Sequence, residues 1–415
     1  MKGIPTAGLL RGGLLGGLLG GLLFGGLLLG GLLLGGAAQA QAPAPTPRDD
    51  CLAQLGAAGE QPASGATLAL CEAALAQDRG DIDLMVKLGG AYLVEGSVPR
   101  AVVLLHAAAE AGDPLAQGTL GDLYWQGRGV ARSAETAAQW LRRAADQGEA
   151  QSQASLGLLY LRGSGVDQDT AQAAYWIQKA AAANNTKGLI ALGNLYRNGQ
   201  GVAQDLALAR QYFERAAAAG DPNAANNIGL LYLEGLGVDR DPAAALKWVT
   251  QAAEGGSAEG QNTLGVMYLN GLGVPQDLDQ AQHWIRRSAE GGSAGGQNSL
   301  ATLYLTGRGV PRDPGLALAW VSKAVAAGEP EAENTLAAMY FNGWGVEKNL
   351  ATAVEWFRSA AEKGNANAQD NLGRLYEKGL GVPQNRDEAL KWYRLATEQG
   401  FPGAADSVRR LEGGN

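Results

Sequence analysis

The chain has 415 residues, a formal net charge of −8, two histidines and two cysteines. The acidic balance, with no basic run anywhere in the sequence, argues against nucleic acid, whose binding depends on clustered Lys and Arg neutralising phosphates. Two histidines and no paired reactive constellation leave little for acid–base chemistry.

Residues 1–40 read as a secretory signal. Lys2 and Arg11 precede a charge-free Leu/Gly run from Gly12 to Gly36, and Ala38-Gln39-Ala40 has the small-x-small pattern of a cleavage site. Cleavage after Ala40 would give a periplasmic or secreted product beginning at Gln41, with net charge about −10 once Lys2 and Arg11 are gone. The alternative is an uncleaved inner-membrane anchor, because the apolar run over residues 12–36 is long enough to span a bilayer. A Pro/Ala linker is expected over residues 41–50. Cys51 and Cys71 follow. An even count in an exported chain points to a disulfide, which would close a loop of about 20 residues and add roughly 2–4 kcal/mol locally. Two buried free thiols are the alternative, and the spacing fits no metal motif.

From residue 114 the sequence repeats. Gly-x-Gly-Val begins at Gly127, Gly163, Gly199, Gly235, Gly271, Gly307, Gly343 and Gly379, at intervals of 36 residues. A glycine pair can cradle a phosphate, but the dinucleotide fingerprint needs a third glycine, a preceding strand and an acidic partner. None of the copies has the third glycine, so no cofactor is expected. A fixed period of this length is the signature of a solenoid, in which each unit buries its apolar face against the next.

One unit, Ala258 to Ser293, shows the logic. Leu264, Met267 and Tyr268 lie on one face of a helix. Beside the leucine stands Gly265, and the other units place only Gly or Ala there, so another helix must pass very close. Gly271 is expected to end this helix in the left-handed conformation, with Val274 folded back under the turn. Asp277 is the expected N-cap of a second helix, matched by Ser133, Asp169, Asp205, Asp241, Asp313, Asn349 and Asn385. Ala281, Trp284, Ile285 and Ser288 recur at helical spacing in that second helix, and Gly292 ends it. Tyr124 to Tyr376 occupy one register and Trp140 to Trp392 another, which makes both aromatic stripes core. Trp125 and Trp344 fall outside these registers and are expected to be exposed contacts.

"LGVMYLNGLGVPQDLDQAQHWIRRSAEGG" resembles the Sel1-like repeat, a relative of the tetratricopeptide repeat. The Leu-Gly-x-x-Tyr, the Gly-x-Gly-Val turn and the Ala-x-x-Trp carry the resemblance through eight units, residues 114–401. Residues 51–113 read as degenerate helices of the same kind, with "DLMVKLGGAYLVEGSVPRAVVLLHAAAEAGD" a shorter unit lacking the Gly-x-Gly. Residues 402–415 read as a capping helix and tail. The resemblance implies an all-α, right-handed superhelical solenoid with a concave face, working as a scaffold or adaptor, often at the bacterial envelope.

An enzyme is not expected. "GGSAG", Gly291 to Gly295, matches a nucleophile elbow, but that motif needs a strand-to-helix turn and a later histidine, and His106 and His283 both precede Ser293. Cysteine-rich relatives described as β-lactamases carry cysteine pairs through their repeats, which this chain lacks. The expected function is a periplasmic scaffold for protein partners, such as an extended peptide segment or an envelope sensor or assembly protein, with membrane contact only through the leader. A polysaccharide or cell-wall binder is the alternative. One first-helix position reads Gly118, Ala154, Ile190, Asn226, Asn262, Asn298, Asn334, Asp370. By similarity to tetratricopeptide repeats it faces the concave groove, so the asparagines would form a ladder able to clasp a peptide backbone. Leu233, Leu269, Leu305 and Phe341, two helical turns further on, are expected to supply apolar pockets beside it.

Overall fold

The computed structural model describes residues 45–59 and 61–413. Contacts divide the chain into residues 1–46 and 47–415, and the architecture below is that of the second unit. The expected signal or anchor, its cleavage after Ala40 and the start of the linker lie outside the described residues.

Among the described residues there are 21 helices and no strand. They run α1 Pro47–Ala58, α2 Gly65–Gln77, α3 Ile82–Glu95, α4 Val98–Glu110, α5 Pro114–Gln126, α6 Ala134–Asp146, α7 Ala150–Arg162, α8 Thr170–Ala182, α9 Thr186–Asn198 and α10 Leu206–Ala218. Then come α11 Pro222–Glu234, α12 Pro242–Glu254, α13 Ala258–Asn270, α14 Leu278–Glu290, α15 Ala294–Thr306, α16 Pro314–Ala326, α17 Pro330–Asn342, α18 Leu350–Glu362, α19 Ala366–Lys378, α20 Arg386–Glu398 and α21 Ala404–Gly413. Consecutive helices pack as antiparallel neighbours along the whole array, which is the architecture of an α-solenoid. No described helix is long and apolar enough to cross a membrane. The linker expected to reach residue 50 is shorter than that, because α1 begins at Pro47. Proline at the first helical position costs no hydrogen bond, and Asp49 and Asp50 in the first turn suit the helix dipole. Cys51 and Cys71 are disulfide-bonded, with Cα atoms 5.1 Å apart, and tie α1 to α2.

Each of the eight units from residue 114 to 401 is a hairpin closed the same way. Gly271 caps α13 with φ +68°, and the backbone N–H of Asp277 returns to the Tyr268 carbonyl at 3.0 Å. The Asp277 side chain then accepts from the N–H groups of Asp279 and Gln280, starting α14. The second glycine of the pair has a separate role that sequence reading missed. Gly273 also has positive φ, and a Cβ there would lie 2.2 Å from the Pro242 carbonyl oxygen of the preceding unit. The pair is a turn that ends one helix and seats against the previous hairpin. Gly265 meets α14: a Cβ on it would stand 2.5 Å from Ile285 Cγ1. Between units, buried glutamines reach back one helix. Gln117 Nε2 donates to the Ala109 carbonyl at 3.0 Å, Gln153 to Ala145 at 3.1 Å, and Gln369 to Ala361 at 3.1 Å.

Candidate functional site: a groove across the first helices

The first helices of successive units touch one another, α11 with α13, α13 with α15 and α15 with α17. A cavity of about 390 Å³ runs across this row, lined by Arg197, Asn226, Leu230, Glu259, Asn262 and Glu329 among others.

The asparagine register divides in two. Asn226, Asn262 and Asn298 each hold a buried Oδ1 without a hydrogen-bond partner, and Asn226 is only 5% exposed. Asn334 is engaged, its Oδ1 accepting from Asn371 Nδ2 at 3.1 Å. Asp370 is buried and ion-paired through Oδ2 to Arg374 Nε at 2.9 Å, while its Oδ1 is unmatched. Burial lifts Asp370 above the usual carboxylate range, although Arg374 opposes the shift. Of the four asparagines expected as a ladder, Asn226, Asn262 and Asn298 therefore keep buried, unpartnered oxygens, while Asn334 is engaged by Asn371, and Asp370 at the next position is ion-paired.

The apolar residues expected beside the ladder are not free pockets. Leu233 packs against the cluster of Val249 and Leu264, and Leu269 against that of Ile285 and Leu300. Leu305 packs with Val321 and Leu336, and Phe341 with Phe357 and Leu372. In every case the partners come from the same unit's second helix and the next unit's first helix. Two turns along the helix the face is the same, but the next hairpin covers it. Leu230, nearer the asparagine, lines the cavity instead. Trp125 shares the register of Leu233 and for the same reason is half-buried, packed against the cluster of Leu141 and Leu156 with Arg132 over its ring at 5.5 Å. Its expected exposure is corrected. Trp344, between the two turn glycines, is 36% exposed.

Sequence reading missed other polar members of this face. Asn194 has an unpartnered buried Oδ1 one turn beyond Ile190. The register reads Asp122, Leu158, Asn194, Leu230, Val266, Thr302, Ala338 and Arg374, and its mixed polarity was the available signal. Asp122 faces Lys187, whose Nζ donates to Ser155 Oγ at 2.9 Å. Burial pushes Asp122 up and Lys187 down, and each partly restrains the other. At the far end, a hydrogen bond to Glu331, helped by burial, pushes Glu329 up to about 7. Ser293 of "GGSAG" lies in a helix–helix turn, where its Oγ accepts from Gly296 N–H at 3.1 Å as the cap of α15. His283 is exposed on α14 beside Trp284.

A family model described as the Sel1 repeat matches nine consecutive segments, from residues 83–113 and 114–149 through 366–401. The first of these is the shorter unit without Gly-x-Gly. No curated protein matches the chain. Among solved structures, a Sel1 repeat protein from Oxalobacter formigenes is 33% identical, with a TM-score of 0.51, over 58% of this chain and 96% of that one. A protective antigen present in uropathogenic Escherichia coli strains, displaying an SLR fold, is 31% identical over 83% of this chain and 82% of that one, with a TM-score of 0.47. A putative sel1 repeat protein from Klebsiella pneumoniae is 25% identical over 49% of this chain and 98% of that one, with a TM-score of 0.37.

Proposed function

The chain belongs to the Sel1 repeat family, and from that membership we propose that it is a non-enzymatic periplasmic scaffold that holds partner proteins along the groove of its first helices. Solenoids of this kind are a general protein-interaction fold, offering an extended surface with few constraints on sequence. The observation that carries the reading is the groove across the first helices of several units, lined by Asn226, Asn262, Leu230, Glu259 and Glu329 among others. An asparagine amide offers both a donor and an acceptor to a bound backbone. The location is supported by the charged, apolar and small-residue order of residues 1–40 and by the Cys51–Cys71 bond, which suits an oxidising compartment. A glycan-binding role has weaker support, since Trp125 is packed between units and leaves Trp344 without a second exposed tryptophan beside it.

The test is affinity capture from the cell envelope with the tagged full chain and its Asn262→Ala/Asn298→Ala variant. The expected result is a partner retained by the parent and reduced about tenfold or more with the variant, at similar melting temperature. Equal capture by both, or none by either, overturns the groove as the binding surface. Fractionation that finds the chain in the cytoplasm with residues 1–40 attached overturns the location.

A further inference from the structure

We propose that a cavity between α2, α3 and α4 binds a small amphipathic carboxylate, a fatty acid of medium length, with its alkyl chain against Leu75, Met85 and Leu104 and its carboxylate on Arg79. The site lies in the first units of the array, apart from the groove between α9 and α17, and does not rest on the partner reading above.

A departure from the repeat opens the cavity. The seventh residue of the second helix is aromatic in the units from α5 onward, Trp140 through Trp392 with Tyr212 once, and in α4 it is Leu104. That aromatic fills the seam against the preceding second helix. Trp140 of α6 is 7% exposed, packs into the cluster of Leu105 and Ala108, and stands 5.7 Å from the His106 ring, all on α4. One unit earlier the leucine is smaller, and the seam between α4 and α2 holds a cavity of about 530 Å³. Small-ligand sites are of this size, about 300–1,000 Å³, and are mostly apolar. The lining is aliphatic, from Leu75, Met85, Leu88 and Leu104, and Val103 at its edge is 68% exposed. An alkyl chain laid there takes this apolar surface out of water, and methionine adapts to the shape it meets.

Charge at the rim selects the head group. Glu72 Oε1 accepts from the Tyr92 hydroxyl and from Arg100 Nη1 at 3.1 Å, so this carboxylate and this guanidinium answer each other. Burial, with Glu72 beside it, lifts the Tyr92 phenol above its ordinary range, so it stays an uncharged donor. Arg79, in the turn after α2, also lines the cavity and takes part in no ion pair among the described residues. Of the groups lining the cavity, one carboxylate therefore faces two guanidinium groups. A ligand carboxylate meets the remaining charge with two parallel, charge-assisted hydrogen bonds from Arg79. An amine head would meet Arg79 as a like charge, which selects against it.

The experiment is isothermal titration of the purified full chain with decanoate, decanol and decylammonium below their aggregation concentrations, and with acetate as the head group alone. The expected result is one decanoate bound per chain, about tenfold more tightly than decanol, with decylammonium weaker still and acetate not bound. Leu104→Trp gives α4 the residue of the later units. It should fill the cavity and weaken decanoate by about tenfold or more, with the melting temperature held or raised. Arg79→Gln, at an exposed position, should remove the preference for decanoate over decanol. Val103→Glu puts a like charge at the exposed edge of the cavity and should weaken decanoate about tenfold, which keeps the test open if Leu104→Trp melts low. Absence of decanoate binding, or binding unchanged by both Leu104→Trp and Val103→Glu, overturns the site. Binding that these variants weaken but that is equal for decanol, or best for decylammonium, overturns the carboxylate preference. Acetate bound as tightly as decanoate overturns the role of the alkyl chain.

Discussion

Gly273 and Pro242 sit where no side chain fits between them: a Cβ on Gly273 would stand 2.2 Å from the Pro242 carbonyl oxygen. Gly271, two residues earlier, has the same left-handed backbone, yet its nearest neighbour to such a Cβ is at 3.5 Å. The two glycines of one turn thus answer to different forces, conformation alone at Gly271 and conformation plus packing between units at Gly273. Gly271→Ala is expected to cost about 1 kcal/mol, and Gly273→Ala at least about 2 kcal/mol, because the preceding hairpin must also shift. Urea denaturation of both variants checks the order. Equal losses would sink the distinction.

The Cys51–Cys71 bond joins the first two described helices, where a unit has only one neighbour among the described residues. Cys51→Ser/Cys71→Ser should lower local stability by about 2–4 kcal/mol. Hydrogen exchange should quicken in α1 and α2 and remain unchanged beyond α9. Thiol titration of the unfolded, unreduced parent should find no free thiol. A full pair of thiols would contradict the bond.

Glu333 stands where other units use a buried glutamine. It accepts from Ser359 Oγ at 2.9 Å and from Lys363 Nζ at 2.6 Å. Lys363→Ala leaves the carboxylate buried with one donor and should cost about 1–3 kcal/mol. Adding Glu333→Gln should restore most of that loss, since an uncharged amide needs no cation. A double-mutant cycle with no coupling would show that the pair is not an energetic unit.

Glu377 holds the terminal helix α21 through a paired contact with Arg410, whose second nitrogen lies 3.0 Å from Oε2. The hydrogen bond from Arg410, more than any other influence, keeps the Glu377 carboxyl below its ordinary range. A lowered carboxylate contributes stability that is present above the unfolded value of about 4.3 and is lost as pH falls through the folded value. Proteolysis near Phe401 should therefore accelerate below about pH 4 in the parent. Arg410→Ala should be faster at neutral pH, by about 1 kcal/mol or less, and should respond less to acid. An identical acid response in the two proteins would refute the linkage.

The period of 36 residues, the hairpin in each unit and its caps were legible in the sequence, because they depend on local chemistry. A glycine that ends a helix and an aspartate that starts one act within a few residues of themselves. Asp277 caps α14 and Gly271 caps α13 as their residue types require. The asparagine register was legible too, as a position. Its state was not, because whether the amide oxygen finds a partner depends on side chains a full unit away. Asn371 engages Asn334, and nothing comparable reaches Asn262. Leu233 and Trp125 show the same limit. Helical phase gives the face on which a residue lies, but whether the next hairpin covers that face depends on how units stack, and stacking is settled by contacts such as Gly273 against Pro242 that join residues about thirty positions apart.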